Sequence, residues 1–173
     1  MTAIIAIDPG AAGGIAWIDG TGTVSAERMP EGMAAQCDRL RSIAAVLGSG
    51  AVAVMERVGG YMPGNAGPGA VKFARHCGNI EAALYCLGVP VEQVSPATWM
   101  RICGPLPTGL DHKRERKNAI KDAVARRFPC LKVTLSTADA LGVLWWAMQR
   151  REGSKGEQKK YFQGGLDKPD RVG

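Results

Sequence analysis

The sequence predicts an α/β domain: a mixed central sheet flanked by helices. Two observations carry this expectation. The N-terminal part holds short apolar runs separated by turn residues, as an antiparallel meander does, and the rest alternates strand-like with helix-like segments. The 173 residues, 46% of them hydrophobic, suit one domain with a sizeable core.

Ala3–Ile7 is an apolar run with two adjacent isoleucines, which suits a buried strand. Gly13–Ile18 is a second strand, and the Asp19-Gly20 turn leads to a third near Thr23–Ala26, a hairpin signal. Met33 to Leu47 places Leu40, Ile43, Ala44 and Leu47 at helical spacing and ends at Gly48. Ala51–Met55 is another short buried strand. Gly59–Gly69 is a glycine- and proline-rich loop of the kind that carries function. Val71 to Leu87 is a helix closed by Gly88, Val89–Val94 a strand, and Ser95-Pro96 starts a short helix through Trp99. Gly104–Asp111 is a second loop. The segment from Lys113 to Phe128 is a helix stopped by Pro129. Lys132–Leu135 is expected as a further strand and Thr137 to Arg150 as the last helix. Residues 1–150 thus form the domain, and the polar residues 151–173 are expected as a loosely attached tail.

Composition narrows the function. No apolar run reaches the roughly 18 residues of a membrane span, and no secretory leader is expected. The five cysteines, Cys37, Cys77, Cys86, Cys103 and Cys130, form no CxxC pair, which argues against a zinc site or disulfide framework and for a reducing cytoplasm. The net charge of +6 is unevenly placed. Residues 1–98 carry 6 basic and 8 acidic side chains, whereas residues 99–173 carry 16 and 8. A basic half points to a polyanionic partner.

Three carboxylates stand out. Asp8 ends the run Ile4-Ile5-Ala6-Ile7, and burying a carboxylate requires a cation or several donors. It could otherwise cap the turn at Pro9-Gly10. Glu56 likewise ends Ala-Val-Ala-Val-Met, unless it is a surface residue paired with Arg57. Asp139 fits a capping box with Ser136 as N-cap, yet it also leads an otherwise apolar helix. Two acids at strand ends and one at a helix start can converge on one side of a sheet. Such hard oxygen ligands favour Mg²⁺, with Mn²⁺ as a substitute. Two ions about 4 Å apart would suit phosphodiester hydrolysis.

The segments IIAIDPGAAGGIAWID, VAVMERVGGYMPG, GNIEAALYCLGVPVEQVSPATWM, ERKNAIKDAVARRFP and STADALGVLWWA together resemble the RuvC-type Holliday-junction resolvases. The resemblance covers roughly residues 4–148 and keeps its order. It implies an RNase H-like fold and a homodimer that nicks four-way DNA junctions with Mg²⁺. Carried over by position, Asp8, Glu56 and Asp139 match three catalytic, metal-binding acids. The fourth position, where an Asp or His is usual, is Ser136, a poorer ligand; Asp111 or His112 could replace it if the 104–112 loop folds inward. The basic helix supplies Lys113, Arg114 and Lys117 as DNA contacts, with Lys117 matching the family's lysine. Lys113 and Lys117 lie on the same helical side as Ile120 and Val124, so they should emerge at the edge of the core. Tyr61 is positioned to stack on a base, worth roughly 1–3 kcal/mol, and Lys72 and Arg75 to meet phosphates. His76 reads as a packing residue, and Trp99, Trp145 and Trp146 as core or dimer-interface residues.

Two other classes compete. A nucleotide-binding protein of the actin and sugar-kinase type shares this fold but needs two such domains, for which the chain is too short. A junction-binding protein without nuclease activity, or a related nuclease on other substrates, would also fit, with Ser136 the argument against full activity.

Overall fold

The computed structural model describes residues 2–57, 67–109 and 111–163, with side chains to residue 152. Five strands, β1 (Ile4–Asp8), β2 (Gly14–Ile18), β3 (Val24–Arg28), β4 (Val52–Glu56) and β5 (Val91–Val94), form one sheet in the order β3-β2-β1-β4-β5. The first three are an antiparallel meander, and β4 and β5 run parallel to β1. The hairpin between β2 and β3 is tied by Asp19, whose Oδ1 accepts from the backbone of Thr21 and Thr23. The helices are α1 (Met33–Leu47), α2 (Pro68–Cys86), α3 (Pro96–Trp99), α4 (Lys113–Arg127) and α5 (Leu135–Gln163), with a 3₁₀ turn over Met100–Cys103.

Side chains alternate across the sheet and divide the core in two. Ile5, Ile7, Ile15, Ala53 and Met55 face α1 and α2, against Leu40, Ile43, Ile80 and Leu84. Ile4, Ala6, Ala16, Ile18 and Val54 face α4 and α5, against Ile120, Val124, Ala138, Leu141 and Leu144. This period of two decides where the acids point. Asp8 follows Ile4 and Ala6, and Glu56 follows Val54, so both emerge on the α4–α5 side. Ile7 pairs with Met55; one residue on, Asp8 and Glu56 end adjacent parallel strands about 4.8 Å apart.

The expected strand Lys132–Leu135 does not form. Residues 132–134 are irregular and Leu135 already opens α5. The hydroxyls there are engaged locally: Thr137 Oγ1 accepts from Thr134 N at 3.0 Å, and Thr134 O accepts from the backbone N–H of Thr137 and Ala138. Such local bonds compete with a sheet ladder and favour a helix start. Other boundaries differ too: α2 begins at Pro68, three residues before the expected start, β5 begins at Val91 rather than Val89, β3 runs on to Arg28, and α5 continues past Arg150 to Gln163.

Candidate metal centre and nucleic-acid interface

Asp8 on β1, Glu56 on β4 and Asp139 on α5 are brought together, and each perturbs its neighbours. Burial, then the charges of Asp139 and Glu56, push the Asp8 carboxyl up to about 8. Burial also raises Glu56 to about 7, helped by Asp139 and opposed by a hydrogen bond from Trp99. Lys117 from α4 answers this negative cluster. Its ammonium donates to Asp139 Oδ2 at 3.2 Å and lowers the pKa of both Asp8 and Glu56. Burial pulls the lysine down, but the surrounding carboxylates outweigh it and the net shift is upward.

The capping role expected of Asp139 falls to other residues. Because α5 starts two residues earlier than that reading required, Thr134 and Thr137 form the helix-start pair, and Ser136 Oγ meets Thr134 Oγ1 at 3.0 Å. Asp139, 14% exposed at its side chain, is left to face Lys117. Glu56 forms no ion pair with Arg57 among the described residues; its partner is the Trp99 indole, whose Nε1–H donates to Oε2 at 2.8 Å.

Glycines let the elements approach. A Cβ at Gly14 would stand 2.4 Å from the Ser136 carbonyl oxygen and 2.8 Å from that of Glu27. The start of α5 is therefore seated directly on β2. A Cβ at Gly13 would stand 3.1 Å from Asp8 Cγ, so the turn packs against the first acid.

The donor set fits a hard divalent cation. Three carboxylates, two of them held above their ordinary pKa mainly by lost hydration, are stabilised by a cation. Among the described residues, however, no three His, Cys, Asp or Glu side chains are already arranged as a finished metal site. The three carboxylates are nonetheless delivered by β1, β4 and α5 close enough for the charges of Asp139 and Glu56 to raise Asp8.

The basic residues expected to contact DNA lie on two helices. Lys113 and Arg114 are exposed on the first turn of α4, and Lys117 lies one turn on, half-buried at the acids. Lys72 and Arg75 are exposed on α2 and line a cavity of about 480 Å³ with Ala11, Arg28, Gln36 and His76. Ala11 belongs to the turn that follows Asp8, so this cavity reaches that turn from the α1–α2 side of the sheet. Tyr61 lies outside the described residues. Neither Asp111 nor His112 is among the groups whose charge shifts Asp8 or Glu56. Asp111 is exposed, and His112 Nδ1 pairs instead with Glu115 Oε2 at 2.6 Å, both side chains more than half exposed. His76 packs beside Gln36 and burial lowers its pKa.

Trp99 is the contact that sequence reasoning assigned only to packing. Its signal was present: Ser95-Pro96 starts a helix directly after a strand, and one turn of helix carries Trp99 back over the neighbouring strand end. Trp145 and Trp146 are partly buried and pack on the core.

No protein-family model and no curated protein matches the sequence. Solved structures do. The chain is similar to Thermus thermophilus RuvC, with TM-score 0.53 at 17% identity over 87% of this chain and 96% of that one. It is also similar to T. thermophilus RuvC in complex with Holliday junction substrate, with TM-score 0.58 at 16% identity over 88% and 97%. The chain therefore has the RuvC, RNase H-like fold that its ordered motifs led us to expect.

Proposed function

We propose that this chain is a RuvC-type endonuclease that resolves four-way DNA junctions by divalent-metal-dependent phosphodiester hydrolysis. The observation that carries the reading is the convergence of Asp8, Glu56 and Asp139 from three elements, with Lys117 as their cationic neighbour, on a fold shared with a junction-bound resolvase. Asp8, Glu56 and Asp139 would hold the ions, Mg²⁺ or its substitute Mn²⁺. Two such ions supply an activated water and stabilisation of the leaving oxygen. Lys117 offsets part of the repulsion among the acids and would offer its ammonium to a phosphate of the bound strand. Lys113, Arg114, Lys72 and Arg75 would hold the strands by their phosphates, and Tyr61 would stack on a base near the crossover.

A homodimer belongs to this reading, because a four-way junction presents two related strands to cut. A junction-binding protein without cleavage is the second reading. Ser136 favours it, since a hydroxyl stands where the family supplies an acid or histidine. The test is cleavage of four-way, flap and linear DNA with Mg²⁺. Selective nicking of the four-way substrate is expected; tight binding without nicking would favour the second reading.

A further inference from the structure

Trp99 is nearly fully buried, with 1% of its surface exposed. Its ring is lodged against α5 at Gly142, where a Cβ would come within 2.5 Å of the ring. A side chain at position 142 would therefore force the indole aside. The position is thus built from three elements: β5 leads into α3, Gly142 opens a slot in α5, and the indole spans to Glu56 on β4. An indole N–H can only donate. Oε2 of Glu56, accepting the indole N–H at 2.8 Å, keeps one lone pair while Oε1 accepts from no described residue, so Oε1 is the stronger donor to a cation and chelation by both oxygens draws density from the indole bond. Bidentate carboxylates suit Ca²⁺, which accepts six to eight ligands at variable geometry, whereas Mg²⁺ takes single oxygens in a strict octahedron.

We infer that Trp99 is a positioning residue that orients Glu56 to favour one-oxygen coordination and so biases the site towards Mg²⁺ over Ca²⁺; the inference rests on the metal-site reading above. Trp99→Phe keeps an aromatic ring in the slot and removes the donor. Metal-free full-length chain is titrated with Mn²⁺, followed by loss of the free-ion paramagnetic signal, and bound Mn²⁺ is then displaced by Mg²⁺ and by Ca²⁺. Loss of a residue that orients a metal ligand typically weakens binding by about 10- to 100-fold. Trp99→Phe is expected to lose at least about tenfold in Mn²⁺ affinity, with Ca²⁺ gaining on Mg²⁺ as the displacing ion. A general loss of packing would not move that ratio. Unchanged Mn²⁺ affinity and an unchanged ratio would overturn the inference. A wild-type chain that binds no Mn²⁺ would overturn the metal-site reading itself. A second measurement leaves position 99 intact, so it holds even if the Phe variant does not fold. In the isotope-labelled wild type an indole N–H resonance should move on adding Mg²⁺, and should not move in Glu56→Gln. Indole resonances indifferent to Mg²⁺ would overturn the inference.

Discussion

At the scale of single residues, two acids of the centre, Asp8 and Glu56, hold their protons well above the pH at which free carboxyls ionise. Asp8 rises from 3.8 to about 8 and Glu56 from 4.5 to about 7, both chiefly through lost hydration. As pH climbs past about 4, the unfolded chain releases these protons while the folded chain keeps them. The folded state then binds more protons, so its stability falls as pH rises. The contribution is fully present below the ordinary carboxyl values and is lost through the raised ones, near 7 and 8. Asp8→Asn removes one such group. In chelator, its melting temperature relative to wild type should rise by at least about 3 °C between about pH 5 and pH 8, equivalent to about 1 kcal/mol for a chain of this size. Saturating Mg²⁺ should narrow the gap by stabilising the wild type. A difference that stays flat with pH would mean that Asp8 is already ionised and compensated in the metal-free protein.

At the scale of elements, the centre depends on how closely α5 sits on β2. Gly14 permits that contact, since any side chain there meets two carbonyl oxygens at under 3 Å. Gly14→Ala should cost about 1–3 kcal/mol by overpacking. Because the displaced helix carries Asp139, cleavage should fall by more than the loss of folded protein explains. Equal losses in thermal stability and activity would show that the helix start is not what sets the acid. The elements that sequence made legible are those with an apolar run or a clear period. β1 and β4 were legible as short apolar runs each ending in an acid, and their register in the sheet then sets Asp8 and Glu56 on one side. Leu40 and Ile43 likewise marked the buried side of α1. The start of α5 was illegible for a specific reason. Val133 and Leu135 look strand-like, and Ser136 with Asp139 imitates a capping box, but the Thr134–Thr137 pair offers an equivalent start two residues earlier. Which start wins depends on the seat at Gly14, a contact between elements far apart in sequence. The Trp99 bond to Glu56 was hidden in the same way, as it needs the slot at Gly142.

At the scale of the whole molecule, the basic second half and the acidic centre act together. Lys113 and Arg114 stand exposed on the helix that delivers Lys117 to the acids, so in the proposed function a strand held by the first turn of α4 would be led towards the centre. Junction affinity should fall steeply with salt, and Lys113→Ala should reduce the slope of log affinity against log salt by about one through one lost phosphate contact. Lys117 differs, being already engaged with Asp139, and its loss should register in cleavage more than in the salt slope. An unchanged slope in Lys113→Ala would turn this helix away from DNA. The charge asymmetry was legible in the sequence, but the division of labour between Lys113 and Lys117 was not. The two share a helical side, and only the packing of α4 against α5 separates a surface lysine from one at the acids.

The central claim is that three carboxylates on this fold form a metal centre that cuts branched DNA. It is tested most directly by measuring, side by side, binding and Mg²⁺-dependent nicking of a four-way junction by wild type and Asp8→Asn. Wild type should nick the junction with Mg²⁺ and not in chelator, while Asp8→Asn should bind it as tightly and leave it uncut. Wild-type nicking by Asp8→Asn, or nicking that survives chelation, would contradict the claim.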